Sequence, residues 1–96
     1  MLAIRDIQPL RSPDDYIIAY TVSGSARLNA VVRSINGRSI RHLAVNHPVR
    51  SGNNLLHWDL RDDFGKRVPP GVYFIELSAG DDQERSYRAT RTLMVR

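Results

Sequence analysis

The chain has 96 residues, of which 42% are hydrophobic and 25% charged, with no cysteine and a net charge of +4. That length sets a single domain, residues 1–96, with one core of two packed layers. The composition excludes a disordered chain, and the lack of cysteine excludes disulfide staples, thiolate zinc sites and cysteine nucleophiles.

No apolar run approaches the ~18 residues needed to span a membrane. Met1-Leu2-Ala3-Ile4-Arg5-Asp6 lacks the basic start and apolar centre of a signal peptide. The expectation is therefore either a cytoplasmic protein or a piece of a larger secreted chain. Of the 14 basic residues 13 are arginine, scattered singly among apolar residues. A nucleic-acid surface gathers its charge and interleaves aromatics. Single arginines alternating with apolar residues read instead as the wet face of a sheet, and no nucleic-acid partner is expected.

Along the chain, period-2 alternation dominates and no window has a period of 3.6. Leu2, Ile4 and Ile7 predict a short first strand. Gln8–Asp15 is a turn-rich break in which Pro9 and Pro13 remove ladder donors. Tyr16–Val22 is a second strand with Ile18, Tyr20 and Val22 on one face, ended by Ser23-Gly24-Ser25. Arg27–Ile35 is a third, with Leu28, Ala30 and Val32 facing together. Asn36-Gly37 predicts a type I′ hairpin turn. The return strand is Arg38–Val45, with Ile40 and Leu43, followed by a loop over Asn46–Asn53. Asn54–Leu60 is a fifth strand carrying Leu56 and Trp58 on one face. Gly71–Ala79 is a sixth, with Tyr73, Ile75 and Leu77 opposite Val72 and Phe74. After a turn at Gly80–Gln83, Ser86–Val95 is the last strand.

About seven short strands with turn chemistry between them indicate an all-β, antiparallel β-sandwich. The expected core is Ile18, Tyr20, Val22, Leu28, Val32, Ile40, Leu56, Trp58, Tyr73, Ile75, Leu77, Leu93 and Val95, with Trp58 at its centre. No internal repeat is visible.

Residues with chemical potential are sparse. Asp59, Asp62 and Asp63 lie close together, and Asp81 and Asp82 share another turn. Carboxylates so spaced are calcium candidates, but the EF-hand spacing and its closing glutamate are missing. The competing reading has Asp59 and Asp62 accepting backbone N–H bonds that set the turn. A hairpin tip offers no pocket for acid/base work. His42 and His57 fall on outward strand positions, and His47 falls beside Pro48 in the loop. They are dispersed and exposed, without metal-site spacing. No serine sits in a Gly-x-Ser-x-Gly elbow. We expect no catalytic residue, no cofactor and no enzyme. Trp58, Tyr20 and Tyr73 are in core register, whereas Phe74 and Tyr87 together would make a sugar-stacking surface. Pro69 and Pro70 keep the connection off a sheet edge. The residues expected to determine the fold are Trp58, Asp59, Asp62, Gly65, Gly71 and Tyr73.

A set of short motifs also carries a family pattern. These are Ile18-Ala19-Tyr20-Thr21-Val22, Leu28-Asn29-Ala30-Val31-Val32, Asn36-Gly37-Arg38 with Ile40 and Leu43, and Ser51-Gly52-Asn53. Densest are Trp58-Asp59 with Asp62, Gly65 and Val68, then Gly71-Val72-Tyr73-Phe74, and the run closes on Thr92-Leu93-Met94-Val95-Arg96. Over about residues 16–96 the chain resembles the FlgD Ig-like (fibronectin-III-like) domain family. That family occurs in flagellar hook-capping proteins and as C-terminal modules of secreted bacterial proteins. Leu60 departs from the pattern, which usually has a small residue there, often glycine. The N-terminal region of a whole hook cap has no counterpart. The resemblance implies a non-catalytic structural or interaction module of a larger secreted, cell-surface or appendage protein. Its partners would be neighbouring domains of the same chain or another protein, without membrane insertion. Two other readings stay open: a carbohydrate-binding accessory module of a secreted hydrolase, taking polysaccharide, and a subunit of a homomeric appendage or phage assembly.

Overall fold

A computed structural model describes residues 1–96. The strands are β1 (Ile4–Arg11), β2 (Tyr16–Val22), β3 (Ala26–Ser34), β4 (Ser39–Val49), β5 (Gly52–Trp58), β6 (Gly71–Gly80) and β7 (Ser86–Val95). They form two antiparallel sheets, ordered β1-β2-β5 and β4-β3-β6-β7. The sheets pack face to face as a β-sandwich. Alternation explains the core directly, because every second side chain of a strand points to the same face. Tyr16, Ile18, Tyr20 and Val22 from one sheet meet Leu28, Ala30, Val32, Tyr73, Ile75, Leu77, Leu93 and Val95 from the other, all buried. No charged or polar residue is buried, and no buried side-chain nitrogen or oxygen lacks a hydrogen bond.

The bounds of β2 and β7 are those expected, and β3, β5 and β6 shift by one or two residues. Two expectations fail at sheet edges. The first strand does not stop before Gln8. It runs through Pro9 to Arg11, past an irregularity at Asp6, whose φ is 54. Pro9 lies opposite Ile18 on an edge strand, where a missing N–H costs no ladder bond. Likewise β4 continues through Asn46-His47-Pro48 to Val49, where a loop was expected. Asn46 takes a φ of 50, and its N–H donates to Asn29 Oδ1 at 2.8 Å, so the strand bulges and resumes.

The core also differs in part from expectation. Ile40 and Leu56 are only half-buried, and Leu56 lines a cleft left open between β4 and β5. Leu2, Ile4, Ile7, Val49, Leu60 and Val68 complete it from the rims.

Candidate interaction site

Trp58 closes β5 with no exposed surface. Its ring stacks on Tyr16 at 6.4 Å and meets Tyr73 edge-on at 5.8 Å. Each polar tip of this column has a backbone partner. The Tyr16 hydroxyl donates to the Met94 carbonyl (2.7 Å) and accepts the Met94 N–H (2.9 Å), which ties β2 to β7 across the sandwich. Trp58 Nε1 donates to the Arg61 carbonyl at 2.9 Å, and the Tyr73 hydroxyl donates to the Pro69 carbonyl at 2.7 Å. Burial pushes the Tyr73 and Tyr20 hydroxyls above the usual phenol range. The column thus holds both ends of the long connection between β5 and β6.

The carboxylates of that connection face different partners. Asp59 Oδ1 accepts the Arg61 N–H (3.1 Å) and Arg41 Nη1 (2.9 Å). Asp62 Oδ1 accepts the N–H groups of Phe64 and Lys66, both at 2.9 Å. Asp63 docks on β4: its N–H donates to the Ile40 carbonyl, Oδ1 accepts the His42 N–H, and Oδ2 lies 2.7 Å from His42 Nδ1. The His42 backbone N–H, then its ring, hold the Asp63 carboxyl below the ordinary carboxylate range. The three calcium candidates therefore do not converge. Nowhere do three or more His, Cys, Asp or Glu side chains gather as metal ligands.

The turn built by Asp62 recurs. The hairpin at Asn36-Gly37 is not type I′, because Asn36 keeps a negative φ and only Gly37 (φ 84) is left-handed. In Ser34–Arg38, Asp62–Lys66 and Asp81–Arg85, the first N–H donates to the fifth carbonyl and the fourth N–H to the first carbonyl. The first side chain also accepts the fifth N–H, through Ser34 Oγ, Asp62 Oδ1 or Asp81 Oδ1. The fourth residue is left-handed each time: Gly37 at 84, Gly65 at 84 and Glu84 at 61. This is a three-residue hairpin loop closed by a bulge. Desolvation raises the Asp81 carboxyl, but the Arg85 N–H and guanidinium and the Gln83 N–H outweigh it and draw it down.

His42, His47 and His57 are exposed, though His47 lies in β4 and not in a loop. His57 Nε2 sits 2.6 Å from Asp15 Oδ2. The Asp15 carboxyl is lowered first by the Ser12 hydroxyl and then by His57. Of the uncommitted rings, Phe64 is 94% exposed at the tip of the Asp62 turn. Phe74 lies beside Thr92 on the outer face, and Tyr87 beside Ala79 on the inner row of β7. These rings occupy different surfaces and form no stacking platform. The sequence reading missed a further apolar patch on the outer face of the three-stranded sheet. There Leu10 pairs with Ile17, and Leu55 pairs with Ala19. The same alternation that marks the core marks this row, but only the sheet order brings the four residues together.

No model of a known protein family matches the chain, and no curated protein matches it. Among solved structures, FlgD from P. aeruginosa aligns with a TM-score of 0.70, covering 97% of this chain and 70% of that one at 20% identity. The fold is FlgD-like. The likeness extends beyond residues 16–96 to take in β1. Leu60, the departure from the resemblance noted above, has a φ of 63, in the left-handed region that glycine tolerates. Its side chain is nevertheless fully buried.

Proposed function

We propose that the chain is a non-catalytic structural and interaction module of a larger bacterial secreted, cell-surface or appendage protein. The observation that carries this reading is how its reactive side chains are used. Asp62 and Asp81 bind the backbone or arginine of their own turns, and Asp15, Asp59 and Asp63 also bind His57, Arg41 and His42 of β5 and β4. None faces another in a pocket as acid/base catalysis requires. The groups left over are those that partners bind: an exposed Phe64 and an apolar outer sheet face. The FlgD-like fold supports an appendage or surface context. In this role the sandwich spaces its neighbouring domains and offers them a fixed contact surface.

An in-frame deletion of the segment encoding residues 1–96 tests the reading. Secreted and surface-attached protein is quantified by immunoblot, and appendages are counted by electron microscopy. Loss of assembly or surface attachment is expected. Normal amounts of every surface structure would overturn the proposal.

A further inference from the structure

The sandwich has four edge strands, and three of them are blunted against pairing. β1 carries Pro9 and the irregularity at Asp6. β4 carries Pro48 and the Asn46 bulge, and Asp63 occupies the Ile40 carbonyl and the His42 N–H. On β7 the Tyr16 hydroxyl occupies both backbone groups of Met94, and Arg91 points along the inner row opposite Ile75. Prolines, bulges, inward charges and covering loops are the devices by which sheets suppress edge pairing.

β5 has none of them. Gly52–Trp58 contains no proline and no Lys, Arg, Asp or Glu, and it pairs with β2 without a register shift. Its free polar groups can be identified. The Ser23 N–H donates to the Ala3 carbonyl, so odd-numbered residues of β2 face β1 and even-numbered ones face β5. Tyr20 and Ile18 therefore bond Asn54 and Leu56. Asn53, Leu55 and His57 turn their N–H and C=O groups away from the sheet.

We propose that this edge, Asn53–His57, takes up an extended segment of a partner as an added strand, one with alternating apolar residues flanked by acidic ones. The proposal rests on the interaction-module reading above. Beside the edge, between β4 and β5, lies a cleft of about 530 Å³ floored by Tyr20, Leu43 and Leu56. Inward side chains of an added strand would enter it. Outward ones would lie against Leu55, which is 70% exposed. The cleft is rimmed by Arg50 and His47 and has no acidic lining residue, on a chain of net charge +4. Carboxylates at the ends of the segment match that field, and main-chain bonds supply the rest.

The test uses the ¹⁵N-labelled chain and a capped peptide of alternating Val and Thr with Asp at both ends. The same peptide with Lys in place of Asp is the comparison. The expected result is amide shifts and slowed hydrogen exchange at Asn53, Leu55 and His57, with the Asp peptide binding roughly tenfold tighter. Leu55→Pro, which removes an outward N–H, abolishes the shifts. Leu55→Asp does the same by repulsion without touching the backbone. Shifts at β1, β4 or β7 instead, equal binding of both peptides, or no shift on β5 with either would overturn the proposal. Leu55→Asp placed in the native gene separates the two readings. If deletion abolishes assembly while Leu55→Asp leaves it intact, the module reading stands and the β5 edge falls.

Discussion

Leu60 should tolerate glycine better than alanine. Its side chain is fully buried, yet its backbone sits at a φ of 63. Truncation to alanine removes core contacts worth ~2–5 kcal/mol. It also leaves a Cβ in the left-handed region, where it costs ~1–2 kcal/mol. Glycine loses the same contacts but relieves that strain. Its greater freedom when unfolded takes back ~0.5–1 kcal/mol. The glycine variant should therefore exceed the alanine variant by ~0.5–1 kcal/mol, with both below the parent chain. Leu77 in β6 is the control, because it is equally buried but lacks a positive φ. There the order reverses, with glycine ~0.5–1 kcal/mol below alanine. Urea unfolding of the four variants, compared by midpoint and slope, measures both differences. If glycine falls below alanine at Leu60 by the same margin as at Leu77, the strain argument is wrong.

Glu84 sits where the two sister turns have glycine, with a φ of 61 and an exposed side chain. Glu84→Gly should stabilise by ~1 kcal/mol, raising Tm by about 4–8 °C in a calorimetric scan. Tyr16→Phe removes the hydroxyl that joins β2 to both polar groups of Met94. It should cost ~1–3 kcal/mol and speed amide exchange in β7 more than in β3. Asp15, Asp63 and Asp81 lie below the ordinary value of 3.8 when folded. A depressed carboxylate contributes stability that is complete above its unfolded value and lost as pH falls through its folded one. Stability should hold at neutrality and drop below about pH 4. Asp63→Asn should flatten part of that drop in a series of urea midpoints, and an unchanged acid slope would remove Asp63 from the account.

The inner rows were legible because alternation and burial obey the same period of two. Tyr16–Val22 and Ser86–Val95 could be bounded to the residue, and Trp58 could be placed at the centre. What escaped depends on tertiary partners. The recurring turn is hidden in sequence, since Ser34, Asp62 and Asp81 do the same work with different oxygens and Glu84 stands where the two sister turns have glycine. Leu60 was legible as a departure but not as a left-handed core residue. The pairings of Asp63 with His42 and Asp15 with His57 join residues far apart in sequence. No local spacing announces them.

The two misjudged strand ends share a cause, and that cause bears on function. Pro9 and Pro48 are chain-break signals when read locally, yet in the sandwich both lie inside strands. A proline is compatible with a strand only where its missing N–H would have met solvent, at an edge. Each proline therefore marks a strand whose outer side is closed to further pairing, and each comes with a left-handed residue in the same strand, Asp6 or Asn46. Across the cleft from β4, β5 keeps regular register and has no Lys, Arg, Asp or Glu along its whole length. Protecting an edge requires a device, and the chain supplies devices to β1, β4 and β7 alone. Aggregation would penalise an edge left bare without a partner. The added strand proposed above would cover that bare β5 edge.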